Sequence, residues 1–300
     1  MCIRDREIIA SIQDEVNTDS LMRYLEILVS FENRNTGSDT ISTTRGIGAA
    51  RRWGFSKFQQ FSAENENRLI TSYFQYDLST CGMDQHRNVM GILPGKDVDN
   101  HQLIIVEAHI DSRCDTPCDI DCSAQGAEDN ASGTALVIEL VRVMSKFSFD
   151  HTLVFVLTTG EEQGLEGAGA LADYCFDENI PIKGVFNNDV IGGVVCGETS
   201  SPPSCPFEGH IDSTQVRLFA SGGNRQWTRW IKLQYEEELI PIVKVPMEVK
   251  LMSSEDRTGR GGDHIPFREN GYTAMRFTSC LLYTSPSPRD ATLSRMPSSA

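Results

Sequence analysis

The sequence predicts an α/β fold, a three-layer αβα domain built on a mixed, mostly parallel central sheet. Three observations carry this. The run at 153–157 is unbroken and apolar, as a strand buried on both faces is, 102–108 is a second run of buried type, and 182–188 reads as a further strand. Segments with helical spacing of apolar residues separate them, so strand, loop and helix recur. Each run ends at a polar residue of ligand type, His109, the pair Glu161-Glu162, and Asp189. In open sheets of this class ligands collect beyond the carboxyl ends of the strands.

Taken in order, residues 7–31 place Ile8, Ile9, Ile12, Val16, Leu21, Leu25 and Leu28 at mostly helical spacing. The polar stretch 17–20 divides them into two helices, with a capping residue before Leu21. A third helix is expected over 43–58, packing Ile47, Ala50, Trp53 and Phe55. Strands are expected at 69–74 and 88–93, the second stopped by Pro94-Gly95, followed by a turn at 97–100 and the strand at 102–108. A Cys-rich loop then leads to Glu128-Asp129-Asn130-Ala131-Ser132-Gly133 and a helix over 133–147. After the strand at 153–157, a helix begins near Leu165, where Gly167, Ala168, Gly169 and Ala170 permit close packing. The region 193–262 is partly rich in Gly, Pro and Ser, holds a helix over 228–239, and is the expected rim or lid over a site. A last strand is expected at 273–278.

Composition narrows the function. The formal charge of −15 opposes non-specific binding to nucleic acid and docking on anionic lipid. No apolar run has the length of a membrane span. Both ends read as foreign. Residues 1–6 and 280–285 can be encoded by opposite strands of one DNA segment that resembles the transposon end used in sequencing libraries, and the tail that follows resembles an adapter. One catalytic domain is therefore expected over 7–279, truncated at both ends, with 1–6 and 280–300 excluded. Three cysteines, Cys114, Cys118 and Cys122, share a loop of little apolar content, and Cys196 and Cys205 flank a Pro/Ser-rich loop. At least one disulfide is expected, because the spacing is not a usual zinc pattern and no His lies between. Disulfides point to an oxidising compartment, hence a secreted or periplasmic protein.

Two adjacent carboxylates at the end of a buried strand are costly unless something positive meets them. Taken singly, Glu161 and Glu162 suit a solvated turn, Asp129 an N-cap, Asp189 a strand-end turn, and His109 and His264 ordinary loop or strand-end histidines. Their shared topological place is what argues for a metal centre. Two His and three carboxylates suit a pair of zinc ions, whereas calcium or magnesium would take oxygen ligands without His.

Five ordered motifs carry a resemblance: His109-Ile110-Asp111-Ser112, Glu128 to Gly133, Gly160-Glu161-Glu162-Gln163-Gly164, Asn188-Asp189, and Asp263-His264-Ile265-Pro266-Phe267. The chain resembles the zinc aminopeptidase and glutaminyl cyclase family of metallopeptidases over residues 109–267. The resemblance implies two zinc ions, one on His109 and Asp189, the other on Glu162 and His264, with Asp129 bridging. It implies Glu161 as general base and Asp111 as acceptor for the other ring N–H of His109, fixing its tautomer. A cis peptide after Asp129 also belongs to the pattern. The implied activity is release of N-terminal amino acids from peptides or proteins. The alternatives are a glutaminyl cyclase and a non-catalytic, peptidase-like receptor or adhesion ectodomain. The Asn-Ala-Ser-Gly continuation and Gln163-Gly164 favour the peptidase, and the intact ligand set disfavours the binding module.

Overall fold

The computed structural model describes residues 3–97, 99, 102–196, 210–256 and 261–279. The expected pairing of Cys196 with Cys205 lies outside them. Helices α1 (Ile3–Glu15) and α2 (Thr18–Ser30) are separated at the expected break. The cap is Asn17, whose side chain accepts from the Ser20 N–H at 2.9 Å, so α2 starts earlier than Leu21. Helix α3 (Gly46–Glu64) starts and ends later than expected. Gly46 takes φ +79°, and a side chain there would strike the Asp39 carbonyl, so the helix cannot extend back to Thr43.

Strands β1 (Ile70–Thr80) and β2 (Met83–Leu93) form a hairpin twice as long as expected. Cys81 and Gly82 turn it with positive φ at both positions, the geometry that suits a two-residue hairpin loop. Beyond Val89 the hairpin leaves the main sheet, since β2 pairs with β4 (Thr152–Thr158) only over Val89–Leu93. Its outer half buries Tyr76 and His86 but is otherwise held by cross-strand bonds and the Cys81 link, so no apolar pattern marks it. Strands β3 (Leu103–His109), β4 and β5 (Ile182–Asn188) lie where the apolar runs predict.

The region 193–262 departs from expectation. It contains a two-stranded pairing of β6 (Val195–Cys196) with β7 (His210–Ile211). It also holds β8 (Gln215–Phe219), helix α6 (Asn224–Gln234), a wide turn at Tyr235–Leu239, and β9 (Glu248–Leu251). Strands β8 and β9 join the main sheet, so much of this region is scaffold. The chain continues through α7 (His264–Glu269) and β10 (Ala274–Thr278). The sheet order is β1-β2-β4-β3-β5-β10-β8-β9, with four parallel pairings and three antiparallel ones. The domain is the mixed αβα sandwich that the sequence predicts.

Two apolar cores flank the sheet. On one face α2, α3 and α4 (Ser132–Met144) bury Leu28, Ile47, Phe58, Val137 and Ile138 against Phe155 and Leu157. On the other, α5 (Glu166–Asp177) and α7 bury Leu171, Cys175 and Phe267 against Val154 and Val156. Alternate residues of one strand thus serve opposite cores, as its uninterrupted apolar run requires. Helix α6 lays Trp227 on Phe186 and over Gly184, where a Cβ would sit inside the indole ring.

Two disulfides, Cys81–Cys118 and Cys114–Cys122, staple the Cys-rich loop. The first ties the loop to the tip of the β1–β2 hairpin, and Cys175 is free and buried. No helix among the described residues is long and apolar enough to cross a membrane.

Candidate metal centre

The site lies at the carboxyl ends of β3, β4 and β5. His109 is the last residue of β3, and its main-chain carbonyl accepts from Thr134 Oγ1 at 2.8 Å. Asp129 sits in the kinked turn Ala127–Ala131 that enters α4, and the Asp129–Asn130 peptide is cis. Asn130 fixes this turn. Its Oδ1 accepts from Gly133 N at 2.9 Å and Val190 N at 3.2 Å, and its Nδ2 donates to Asn188 O at 2.9 Å. Asp189 follows β5 directly, its N–H donating to Phe277 O of β10 at 3.1 Å.

These elements bring three ligand-type groups together. His109 Nε2 lies 3.0 Å from Asp129 Oδ1 and 3.6 Å from Asp189 Oδ1, and one donor atom from each residue falls within 4.8 Å of the others. Neither His109 Nε2 nor Asp189 Oδ1 has a hydrogen-bond partner, although both are buried. Orphaned polar atoms converging on one point fit a cation, and an imidazole with two carboxylates is a donor set zinc accepts. Glu161 Oε2 stands 4.0 Å from the same Nε2.

Glu162 and His264 stand outside this group of three. Glu162 Oε2 is ion-paired with Arg113 Nε at 2.6 Å. His264 begins α7, its Nε2 is 3.1 Å from Glu255 O, and its Nδ1 is buried without a partner. Asp111 is fully buried, and its part is wider than the sequence reading proposes. His109 Nδ1 lies 3.2 Å from the Asp111 carbonyl and 3.6 Å from its carboxylate. That carboxylate also accepts the Glu161 N–H at 3.4 Å and the Glu162 N–H at 3.2 Å, so one side chain faces the histidine and positions the carboxylate pair. The two Glu residues form a single 3₁₀ turn after Gly160 at φ +92°, which lets their adjacent side chains diverge.

Charge is concentrated here. Burial pushes Glu161 well above the ordinary carboxylate range, Asp189 and Glu162 add to this, and His109 opposes it. Glu162 is pushed to about 8 by burial and then by Asp129. Burial disfavours a charged His109, but Glu161, Asp111, Asp129 and Asp189 outweigh it and raise its pKa well above the usual value. Burial likewise pushes Asp189 up, yet Arg276 and His109 hold it below the ordinary range. For His264 burial dominates and brings it down to about 4, leaving a neutral imidazole. A site in which Glu161 and Glu162 resist ionisation and His109 attracts a proton lacks positive charge, which a metal supplies.

Several functional side chains give little sequence signal. Arg34, fully buried, donates to Ile110 O at 2.8 Å, Leu28 O at 3.0 Å and Gly126 O at 3.0 Å, locking the His109 strand end to the Asp129 turn. Arg276 of β10 is ion-paired through Nη2 with Asp189 Oδ2 at 3.0 Å and donates from Nη1 to the two Asp256 oxygens at 2.9 and 3.0 Å. Asp256 Oδ2 in turn is 4.0 Å from His264 Nε2. A charged residue in a strand expected to be buried is the one hint the sequence offers, because such a charge needs a partner. Arg276→Met should cost roughly 3–5 kcal/mol in urea unfolding and weaken zinc binding. Arg276→Lys should restore little of either, since one ammonium cannot serve Asp189 and Asp256 with separate nitrogens. An unchanged zinc affinity in Arg276→Met would remove Arg276 from this role.

Comparison with known proteins supports the same reading. A family model described as Peptidase family M28 matches residues 88–292. A probable zinc metalloprotease of Leptosphaeria maculans is 31% identical over 91% of this chain and 65% of its own length. One from Pyricularia oryzae is 32% identical over 88% of this chain and 55% of its own. The chain thus spans 65% or less of these relatives. Among solved structures, the LapA aminopeptidase of Legionella pneumophila superposes with a TM-score of 0.67 at 23% identity, over 91% of this chain and 64% of that one. A glutaminyl cyclase from an Acidobacteriales bacterium superposes at 0.57 with 18% identity, over 90% and 79%. The structural likenesses show the fold. The family match over residues 88–292, most of the chain, shows its lineage: the chain belongs to peptidase family M28.

Proposed function

We propose that this chain is the catalytic part of a secreted or periplasmic zinc aminopeptidase that removes residues from the N-termini of peptides or proteins. The observation that carries the reading is the convergence of His109, Asp129 and Asp189 with Glu161 beside them. His109 and Asp189 would hold one zinc ion, Glu162 and His264 a second, and Asp129 both. The buried, unpartnered Nδ1 of His264 supports the second position. The two disulfides favour an oxidising compartment.

Bound zinc supplies Lewis acidity, making water a nucleophile near neutral pH and polarising the scissile carbonyl. The chain's own residues do the rest. Glu161, largely shielded from solvent beside the three-ligand group, would take the proton from the attacking water and deliver it to the leaving amine. Asp111 holds both the His109 ring and the main chain of the Glu pair, fixing the base relative to the ligands. Arg34 and Asn130 keep the strand end and the Asp129 turn in register.

Metal analysis with a substrate panel tests the reading. Two zinc ions per chain and cleavage of aminoacyl anilides with a free amino group, but not of their N-acetylated forms, are expected. Cyclisation of an N-terminal glutaminyl peptide without anilide hydrolysis would make the chain a cyclase, and absence of both metal and turnover would make it a binding module.

A further inference from the structure

Between α3 and the outer half of the β1–β2 hairpin lies an open cavity of about 290 Å³. Thr40, Arg51, Arg52, Tyr73, Gln85 and Arg87 line it, and no acidic residue does. Three guanidinium groups on one small cavity are unexpected in a chain of net charge −15.

Two of the three have partners. Arg52 donates to the carbonyls of Thr40 at 2.7 Å, Ile41 at 3.3 Å and Ser42. Arg87 donates from Nε to Gln75 Oε1 at 3.1 Å, and its guanidinium lies 5.7 Å from the centre of the Tyr73 ring. Arg51 is different. It is only 7% exposed, makes no hydrogen bond or ion pair with a described residue, and its Nη1 is buried without a partner. Burial lowers its pKa to about 10, and Arg87 and Arg52 push the same way against Tyr76 and Tyr73.

A buried guanidinium with like charges around it and no carboxylate against it is costly. Such a group is stabilised when an anion completes it. The planar N–H fork of arginine matches an oxyanion, with short, charge-assisted hydrogen bonds. The polar walls and small volume suit a compact tetrahedral group rather than an extended acidic segment. We propose that Arg51, Arg52 and Arg87 form a binding site for a small oxyanion of the phosphate or sulfate class, free or carried on a ligand. The Arg87 main chain is tied to the β4 end that leads to the candidate metal centre. Thr159 Oγ1 donates to the Arg87 carbonyl at 2.9 Å, and the chain reaches Glu161 two residues later.

Sulfate, titrated into the zinc-loaded full chain against chloride at matched ionic strength, is the first probe. We expect a saturable rise in melting temperature with sulfate alone. Arg87→Ala, an exposed position that leaves the fold intact, should weaken sulfate affinity about tenfold, and Arg51→Met should abolish the effect. Circular dichroism checks that Arg51→Met is folded, and Arg87→Ala decides if it is not. A phosphoserine peptide that binds more tightly than inorganic phosphate, in an Arg87-dependent way, would locate the anion on a ligand, whereas equal or weaker peptide binding would leave a free-ion site. A sulfate effect that chloride reproduces, or one unchanged by Arg87→Ala and Arg51→Met, overturns the proposal.

Discussion

Glu161→Gln should lower the turnover of an aminoacyl anilide by roughly 10²–10⁴-fold while leaving zinc bound, the range expected for removing a general base. The substitution keeps side-chain shape and the main-chain N–H that Asp111 accepts at 3.4 Å. It removes only the capacity to carry a proton. Glu161 is suited to that task by its burial and by its place 4.0 Å from His109 Nε2, at the edge of the three-ligand group rather than inside it. Glu162→Ala makes the contrast. That change deletes an expected ligand and frees Arg113, so metal content should fall together with activity. Zinc stoichiometry measured beside the rate constant separates the two. A Glu161→Gln enzyme with full zinc and near-full rate would assign the base elsewhere, and one that lost zinc would make Glu161 a ligand.

The elements legible in the sequence are those whose burial is uniform. Strand β4 is apolar from Leu153 to Leu157 and β3 from Leu103 to Val106, so hydrophobicity marks them, while β5 is marked by Val185 and Phe186 ahead of its polar end. Strand β8 is equally ordered, but its Gln215 and Arg217 are buried polar residues that break the pattern. Strand β9 has four residues, Glu-Val-Lys-Leu, too few for periodicity to emerge. The outer β1–β2 hairpin is held by backbone pairing and by the Cys81–Cys118 link, and neither is written in side-chain hydrophobicity.

The candidate site divides along a similar line. His109, Glu161, Glu162 and Asp189 follow strand ends, Asp129 and His264 lie where helices begin, and their types and order are what point to a metal. The residues that align them act across long sequence distances. Arg34 reaches carbonyls near residues 110 and 126, Arg276 joins Asp189 to Asp256, and Asn130 reaches Asn188. An arginine or asparagine whose partners are main-chain oxygens leaves no spacing to detect, because every residue offers the same carbonyl.

Stripped of metal, the protein should lose stability as pH rises from about 5 to about 8, the reverse of the usual behaviour of an acid-sensitive domain. The buried carboxyls set the sign. Glu162 is pushed to about 8, first by burial and then by Asp129, Asp263 to about 7 by burial, and Glu161 well above the ordinary range. Their unfolded values lie near 4. Between these limits the folded chain binds more protons than the unfolded one, and each extra proton tilts stability downward by about 1.4 kcal/mol per pH unit. Groups raised in this way contribute stability that is present below the unfolded pKa and lost through the folded one. His109, raised by its carboxylate neighbours against the effect of burial, adds to the loss above its unfolded value of about 6.5. His264, lowered to about 4 by burial, opposes the trend only below about 6.5, so the steepest decline falls between about 6.5 and 8. Asp189, held low by Arg276, matters only at more acid pH. Zinc reverses the slope, because its ligands bind it deprotonated and occupancy grows as protons leave. Melting temperatures of chelator-treated and zinc-loaded protein across this range should therefore diverge with rising pH, and Glu162→Gln should flatten the metal-free curve. Parallel curves, or a metal-free protein that gains stability toward pH 8, would mean that these carboxyls ionise freely in the folded chain and that no cation is needed to hold them together.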